Sequence, residues 1–365
     1  MSELTDLVRQ LVSTPSHRDE AAVARQIESW LRAETSATVT RDDAGNVIAR
    51  DGTTAGSDAP TLALVGHHDV VPPASSQVRG DPDDPDAYTI ETRDGRLYGR
   101  GTADMKGAVA ACLVAFRDAS PDCELVFASF SGEETGGDGA RAAIEQGFAP
   151  DYAVIAEGST NYSEIGVTDV VVAHKGRRAS KLLASGRSAH ASEPDTGVNA
   201  IYRASDAIDV VRDLEPPTTV VRGAALSGSV AVTEVEGGQA WNMIPEECVI
   251  TIDERTVPDE RTGVSEATNV DGVEHVVEQD LPPMACSDDA FADTALKAAT
   301  AVQPGSPSHV TKPHATDAGW LAAAGTATIV CGPAEPDEAH TDTESVSVEV
   351  LQRCERIYRE LAEQL

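Results

Sequence analysis

Lysine is almost missing from this chain: only five occur in 365 residues, at positions 106, 175, 181, 297 and 312. Basic residues total 28 against 61 acidic ones, a formal charge of −33 with a pI near 4.4. With no basic stripe to neutralise phosphates, nucleic acid is excluded as a partner. An acidic surface stripped of lysine keeps its hydration when salt screens every charge, so the composition points to a salt-loaded, haloarchaea-like cytoplasm. An acidic face for a basic partner fits less well, because the acids are spread along the whole chain. No run of about 18 apolar residues is present, which argues against a transmembrane helix and a membrane partner. The start, Met1-Ser2-Glu3-Leu4-Thr5-Asp6, lacks the basic and apolar regions of a secretory signal. The six cysteines (112, 123, 248, 286, 331 and 354) form no C-x-x-C pair. They read as reduced core residues of a cytoplasmic protein and disfavour a zinc–thiolate site.

The length exceeds what one compact core usually holds, so two domains are expected. Leu4, Leu7, Val8, Leu11 and Val12 recur at helical spacing. Thr14-Pro15-Ser16 breaks that helix, Ser16 with Asp19 resembles the cap of a second, and Val23, Ile27, Trp30 and Leu31 continue its stripe. Strand-like runs at 61–65, 125–130 and 153–156 alternate with helical stretches at 105–118 and 138–147. That alternation predicts a largely parallel sheet covered on both faces. Between about 175 and 282 the texture changes. Strand-like runs at 179–185, 228–235 and 247–253 flank a helix over 199–214, and a second helix is expected near 259–268. Beyond it, 293–301 reads as helix, 327–331 as strand and 346–361 as a closing helix; the acid-rich 81–86 segment reads as a solvated loop. The expected fold is α/β, with a mixed, mostly parallel catalytic domain built from 1–174 and 283–365. An inserted α+β, ferredoxin-like domain spans 175–282.

Several polar clusters sit where apolar strands end. Val65-Gly66-His67-His68-Asp69 places His67 and Asp69 on one face of a strand, with His68 pointing away. A carboxylate beside a histidine fixes its tautomer and raises its basicity as a metal ligand. An isolated His-x-Asp is nevertheless more often a plain surface turn. Asp104 lies near a helix start, where a cap is the ordinary explanation. Glu133 and Glu134 follow a buried strand and, alone, would be a solvated loop; Glu157 follows another strand, and His340 comes shortly after a third. Ligands of open α/β sheets bind at the carboxyl ends of strands, where all of these fall. Two histidines and several carboxylates without cysteine suit zinc and hydrolytic chemistry. Adjacent Glu133 and Glu134 cannot easily both face the metals, so one would bind and the other act as base.

In order and spacing, G-H-H-D-V-V-P, G-R-G-T-A-D-M-K-G, S-G-E-E-T, A-E-G-S and G-P-x5-A-H resemble a family of two-zinc hydrolases. The family includes acetylornithine deacetylases, succinyl-diaminopimelate desuccinylases, aminoacylases and carboxypeptidases. The resemblance continues through Gly186–Ser192, Trp241–Pro245 and Asp253-Glu254-Arg255, so it covers essentially the whole chain. It implies two Zn2+ per chain, with Co2+ a possible substitute. His67 and Glu157 would bind one zinc, Glu134 and His340 the other, and Asp104 would bridge them. Asp69 would orient His67, and Glu133 would be the base. The inserted domain would be a lid and dimerisation module of a homodimer, bringing His190 to the scissile carbonyl, often in the partner's site. Asn242 and Arg255 match positions that hold the substrate carboxylate, a task that suits the guanidinium fork; capping a turn and pairing a surface acid are their plain alternatives.

The implied activity is deacylation of a small N-acyl amino acid, of the desuccinylase or acetylornithine deacetylase type. A carboxypeptidase or dipeptidase of the same fold is the nearest alternative. A non-catalytic binding relative would be expected to have lost a ligand or the base, and here each is present. An aminopeptidase with similar chemistry is not expected to carry the inserted domain. The sequence departs from the family's habit in Gly158, where proline is common, in Thr343 before Glu344, and in His314, which reads as a simple loop histidine. The charge itself is testable. The thermal midpoint is expected to rise between dilute and molar KCl as screening relieves self-repulsion; a salt-independent midpoint would favour the basic-partner explanation.

Overall fold

The computed structural model describes residues 2–52, 59–81 and 84–365. The chain divides into two compact units, one comprising Met1–Ala173, Ala285–Lys312 and Thr316–Leu365, the other His174–Met284 and Pro313–Ala315. The first unit's strands begin with β1 (Thr38–Arg41), β2 (Val47–Asp51), β3 (Thr61–His67), β4 (Glu124–Phe130), β5 (Tyr152–Ile155) and β6 (Val170–His174). The second unit contributes β7 (Gly176–Ser185), β8 (Ser229–Gly237), β9 (Glu247–Thr256) and β10 (Val273–Leu281). The chain then returns through β11 (Met284–Ala285), β12 (His309–Lys312) and β13 (Ala327–Val330). The helices are α1 (Glu3–Ser13), α2 (Ala21–Glu34), α3 (Lys106–Asp118), α4 (Asp138–Glu145), α5 (Ala200–Asp213), α6 (Asp289–Ala301), α7 (Ala318–Ala323) and α8 (Val348–Gln364). Among the described residues, no helix is long and apolar enough to cross a membrane.

The large sheet runs in the order β1-β2-β4-β3-β5-β13-β6-β11, with β12 beside β6. Its centre, β4-β3-β5-β13, is parallel, and antiparallel strands flank it on both sides. The sheet is thus mixed with a parallel core. Leu62 to Val65 of β3 are fully buried, as a central strand covered on both faces requires. On one face α3 packs with α1 and α8. Its run of Gly, Ala, Val and Cys brings the helix backbone close to its neighbours, and a Cβ at Gly107 would lie 2.3 Å from the Thr102 carbonyl oxygen. Because β4, β3, β5 and β13 are parallel neighbours, their carboxyl ends lie side by side, and the segments that follow them emerge from one edge.

The second unit is a four-stranded antiparallel sheet, β8-β9-β7-β10. One face packs on α5 around Leu182, Ala204, Ile250 and Ile252, giving β9 its strict alternation of burial. The helix expected near 259–268 is instead a 3-10 segment, Val264–Asn269. Gly263 precedes it, and the buried Glu254 carboxylate takes the Thr262 N–H at 2.8 Å, diverting the backbone from an α-helical start. The cap expected at Ser16 also moves. The second helix begins after Glu20, and it is Asp19 whose carboxylate accepts the Ala21 N–H. The described part of the acid-rich segment is strand rather than loop, since Val78–Asp81 pairs with Asp84–Tyr88; residues 82 and 83 lie outside the described residues. The tight passage of α3 yields a prediction. Gly107→Ala should lower stability by about 1–3 kcal/mol, because the contact is backbone that cannot yield cheaply. An unchanged denaturant midpoint would contradict this packing.

Candidate active site

Each strand-end loop delivers acids or histidines to the same place. His67 closes β3 and Asp69 follows it; Glu133 and Glu134 follow β4; Glu157 follows β5; His340 follows β13 at a distance. Asp104 arrives from the turn before α3, whose N-cap is Met105 rather than Asp104. The two oxygens of Asp104 are divided between the two histidines. Oδ1 lies 3.0 Å from His67 Nε2, and Oδ2 lies 3.0 Å from His340 Nε2. Glu157 Oε1 stands 3.3 Å from His67 Nε2, and Glu134 Oε1 stands 3.1 Å from His340 Nε2. Glu133 completes a second cluster with His67 and Glu157, whose donor atoms fall within 4.8 Å of one another.

Behind His67, Asp69 Oδ1 faces Nδ1 at 3.2 Å, and Asp69 Oδ2 accepts the Glu134 N–H at 3.0 Å. A proton held on Nδ1 by Asp69 leaves the Nε2 lone pair aimed at carboxylate oxygens. Lone pairs converging on one point repel unless a cation or proton lies among them. Accordingly, burial is outweighed by the hydrogen bonds His67 donates to Asp104 and Asp69, which push it well above the usual histidine range, and acceptance by Asp104 and Glu134 pushes His340 up to about 10. Burial, with Asp317, Glu157 and Asp104 adding to it, holds Glu133 well above an ordinary carboxyl. This donor set of nitrogen and oxygen atoms, with surplus negative charge and no thiolate, fits divalent cations of the zinc type. His340 sits at φ +65°, a left-handed conformation that costs a non-glycine residue about 1 kcal/mol or more.

The supporting residues come from far along the chain, and the sequence patterns do not expose them. Buried Glu344 pairs with buried Arg100 at 2.6 Å and accepts the backbone N–H groups of Ala103 and Asp104 at 2.9 and 3.2 Å. It thereby fixes the peptide that carries the shared carboxylate. Burial raises its carboxyl to about 7, a rise that Arg100 and the two N–H groups oppose. Arg96 holds the His340 loop through Glu335 and Glu338, both at 2.8 Å. Glu20 takes the Gly132 N–H and stands 3.5 Å from Nε2 of buried His68, whose Nδ1 lies 2.8 Å from Ser129 Oγ. Two of the five lysines, Lys106 and Lys312, are buried here. Asp317 is also buried, and burial raises its carboxyl to about 7. Gly158 is explained by packing, since a Cβ there would meet the Ala334 oxygen at 2.7 Å. His314 is exposed.

The remaining predicted residues belong to the second unit. His190 lies on a short strand, Ala189–His190, paired with Met243–Ile244. Its Nδ1 accepts the Ser192 N–H at 3.2 Å, which leaves the ring proton on Nε2. Asn242 is exposed and offers its carbonyl to the Ala191 N–H at 2.9 Å. Arg255 is engaged with Asp253, Nε to Oδ1 at 2.7 Å, while Asp253 also receives Arg177 Nε at 2.9 Å.

With this geometry in view, comparison with known proteins gives a consistent result. The model of peptidase family M20/M25/M40 matches residues 63–364, so the chain belongs to that family of metallohydrolases. It is 28% identical over 351 residues to the acetylornithine deacetylase of Myxococcus xanthus, covering 87% of this chain and 84% of that one. It is 28% identical to the succinyl-diaminopimelate desuccinylase of Bordetella avium, covering 100% and 99%. Among solved structures, aminopeptidase PepT from Bacillus cereus superposes with a TM-score of 0.79 at 22% identity, covering 99% and 98%. The Bacillus subtilis YXEP protein, described as a dinuclear metal binding peptidase from the M20 family, superposes at 0.72 with 18% identity, covering 98% and 96%. The match to PepT corrects one expectation: an aminopeptidase can share this fold over its full length, inserted unit included. The structural role of Glu344 is open to test. Glu344→Ala strands Arg100 in the core and should cost about 3–5 kcal/mol; a loss below about 1 kcal/mol, read from denaturant unfolding, would show that the pair does not brace the site.

Proposed function

We propose that this chain is a two-zinc hydrolase that removes an acyl group from the nitrogen of a small amino acid, of the desuccinylase or acetylornithine deacetylase type. The observation that carries the reading is the division of Asp104's oxygens between His67 and His340, with a further carboxylate beside each histidine. His67, Asp104 and Glu157 would hold one cation, and Glu134, Asp104 and His340 the second, with Co2+ able to replace zinc. Bound there, the pair supplies Lewis acidity for attack of water on an amide carbonyl.

Glu133 would do the proton work. It receives a proton as the water oxygen bonds to the carbonyl carbon, and it returns that proton to the nitrogen as the C–N bond breaks. A carboxyl already raised by its surroundings suits this exchange. Asp69 keeps His67 in the tautomer that binds a cation. His190, with its proton on Nε2, would donate to the carbonyl oxygen as charge builds there. Arg255 and Asn242 would hold the substrate's free carboxylate; Arg255 already shows its affinity for a carboxylate in its contact with Asp253. The second unit, taken as residues 175–282, is read as the lid and dimerisation domain. The edge of β8, which no strand pairs among the described residues, and the exposed Tyr202 and Trp241 are surfaces a second copy would cover. Cleavage of a dipeptide or a carboxy-terminal residue is the second reading, supported by the peptidases among the structural neighbours.

Glu133→Gln should keep the parent's metal content yet lower kcat by at least about a hundredfold, since only proton transfer is removed. Specificity constants for N-acetyl, N-succinyl and dipeptide substrates would then separate the two readings. A fully active Glu133→Gln protein would remove the base from the account.

A further inference from the structure

Lys312 is the last residue of β12 and is buried in a chain that has shed lysine almost everywhere else. Its Nζ donates to Glu157 Oε2 at 3.2 Å and to the Gly158 carbonyl oxygen at 3.1 Å. The other oxygen of Glu157, Oε1, is the one that faces His67. The two oxygens are therefore committed differently, one to the proposed cation position and the other to an ammonium. On the other side of Asp104 the arrangement differs. Among the described residues, the ion pair of Glu134 is with His340, and no lysine or arginine stands against its carboxylate.

We propose that Lys312 is a positioning residue of the metal centre that restricts Glu157 to one-oxygen ligation and makes the His67–Glu157 position the weaker of the two. The inference rests on the two-metal reading above. The physical reason is direct. A fixed positive charge on the far oxygen withdraws negative charge from the ligand, repels an incoming divalent ion, and occupies the lone pairs a second metal–oxygen bond would need. The two halves of the centre would look alike in ligand type yet differ in affinity because of one lysine.

The test uses the full chain stripped of metal and titrated with Co2+ by calorimetry, followed by the absorption spectrum of the loaded protein. The parent should bind in two steps, and Glu157→Ala should abolish the weaker one. Lys312→Met should tighten the weaker step by at least about tenfold and leave the tighter one within about twofold. It should also lower the visible Co2+ absorption, as Glu157 gains a second metal–oxygen bond and the coordination number rises. Lys312→Arg, which keeps the charge, should stay near the parent on both measures. If Lys312→Met fails to fold by circular dichroism, Lys312→Gln carries the same expectation. A weaker step that loosens or stays unchanged in the uncharged variant would overturn the role of Lys312 while leaving the two-metal reading intact. A parent that takes up no Co2+ would instead overturn the two-metal reading, and this inference with it.

Discussion

Everything at the candidate site depends on how one carboxylate is shared. Asp104 presents an oxygen to each of two histidines that are 273 positions apart in the chain, taking His340 minus His67. Around it stand Glu133, Glu134 and Glu157, a concentration of acid that would be strongly unfavourable in a partly buried pocket without compensating positive charge. The chain supplies part of that compensation through raised histidine protonation and Lys312. Divalent cations would relieve this repulsion, so the crowding of charge and the proposed chemistry have the same origin.

The scaffold makes the arrangement possible. Four parallel neighbouring strands end at one edge, so loops distant in sequence start within a few ångströms of each other. Supporting side chains then fix what the loops carry: buried Glu344 with Arg100 holds the Asp104 peptide, half-buried Arg96 holds the His340 loop, and buried Asp69 ties His67 to the Glu134 backbone. A site assembled from several loops needs each of them braced, which gives the buried Arg100–Glu344 pair a task that a surface ion pair would not have.

Much of this was legible because strong local signals coincide with function. The apolar runs of β3, β4, β5 and β13 mark buried strands, and the polar residues just beyond them mark a sheet-edge site. The supporting partners were not legible. Nothing in T-D-T-E shows that Glu344 would reach back to Arg100 and the Asp104 peptide across the fold. Lys312 in T-K-P-H looks like any loop lysine until β12 is seen to bury it. Pairings between residues so distant in sequence leave no periodicity to read. The short strands β1 and β2, the 3-10 segment at Val264–Asn269 and the pairing of Val78–Asp81 with Asp84–Tyr88 were missed or misread because tertiary contacts override weak local preference there. His190, Asn242 and Arg255 are legible only through their likeness to the family, since the contacts within their own unit are ordinary ones.

The central claim is that Asp104 bridges two metal positions, one with His67 and one with His340. The most direct measurement is anomalous diffraction at the zinc edge from crystals of the zinc-loaded protein. Two peaks, one beside each Asp104 oxygen, are the predicted result. A single peak, or zinc bound away from Asp104, would contradict the account.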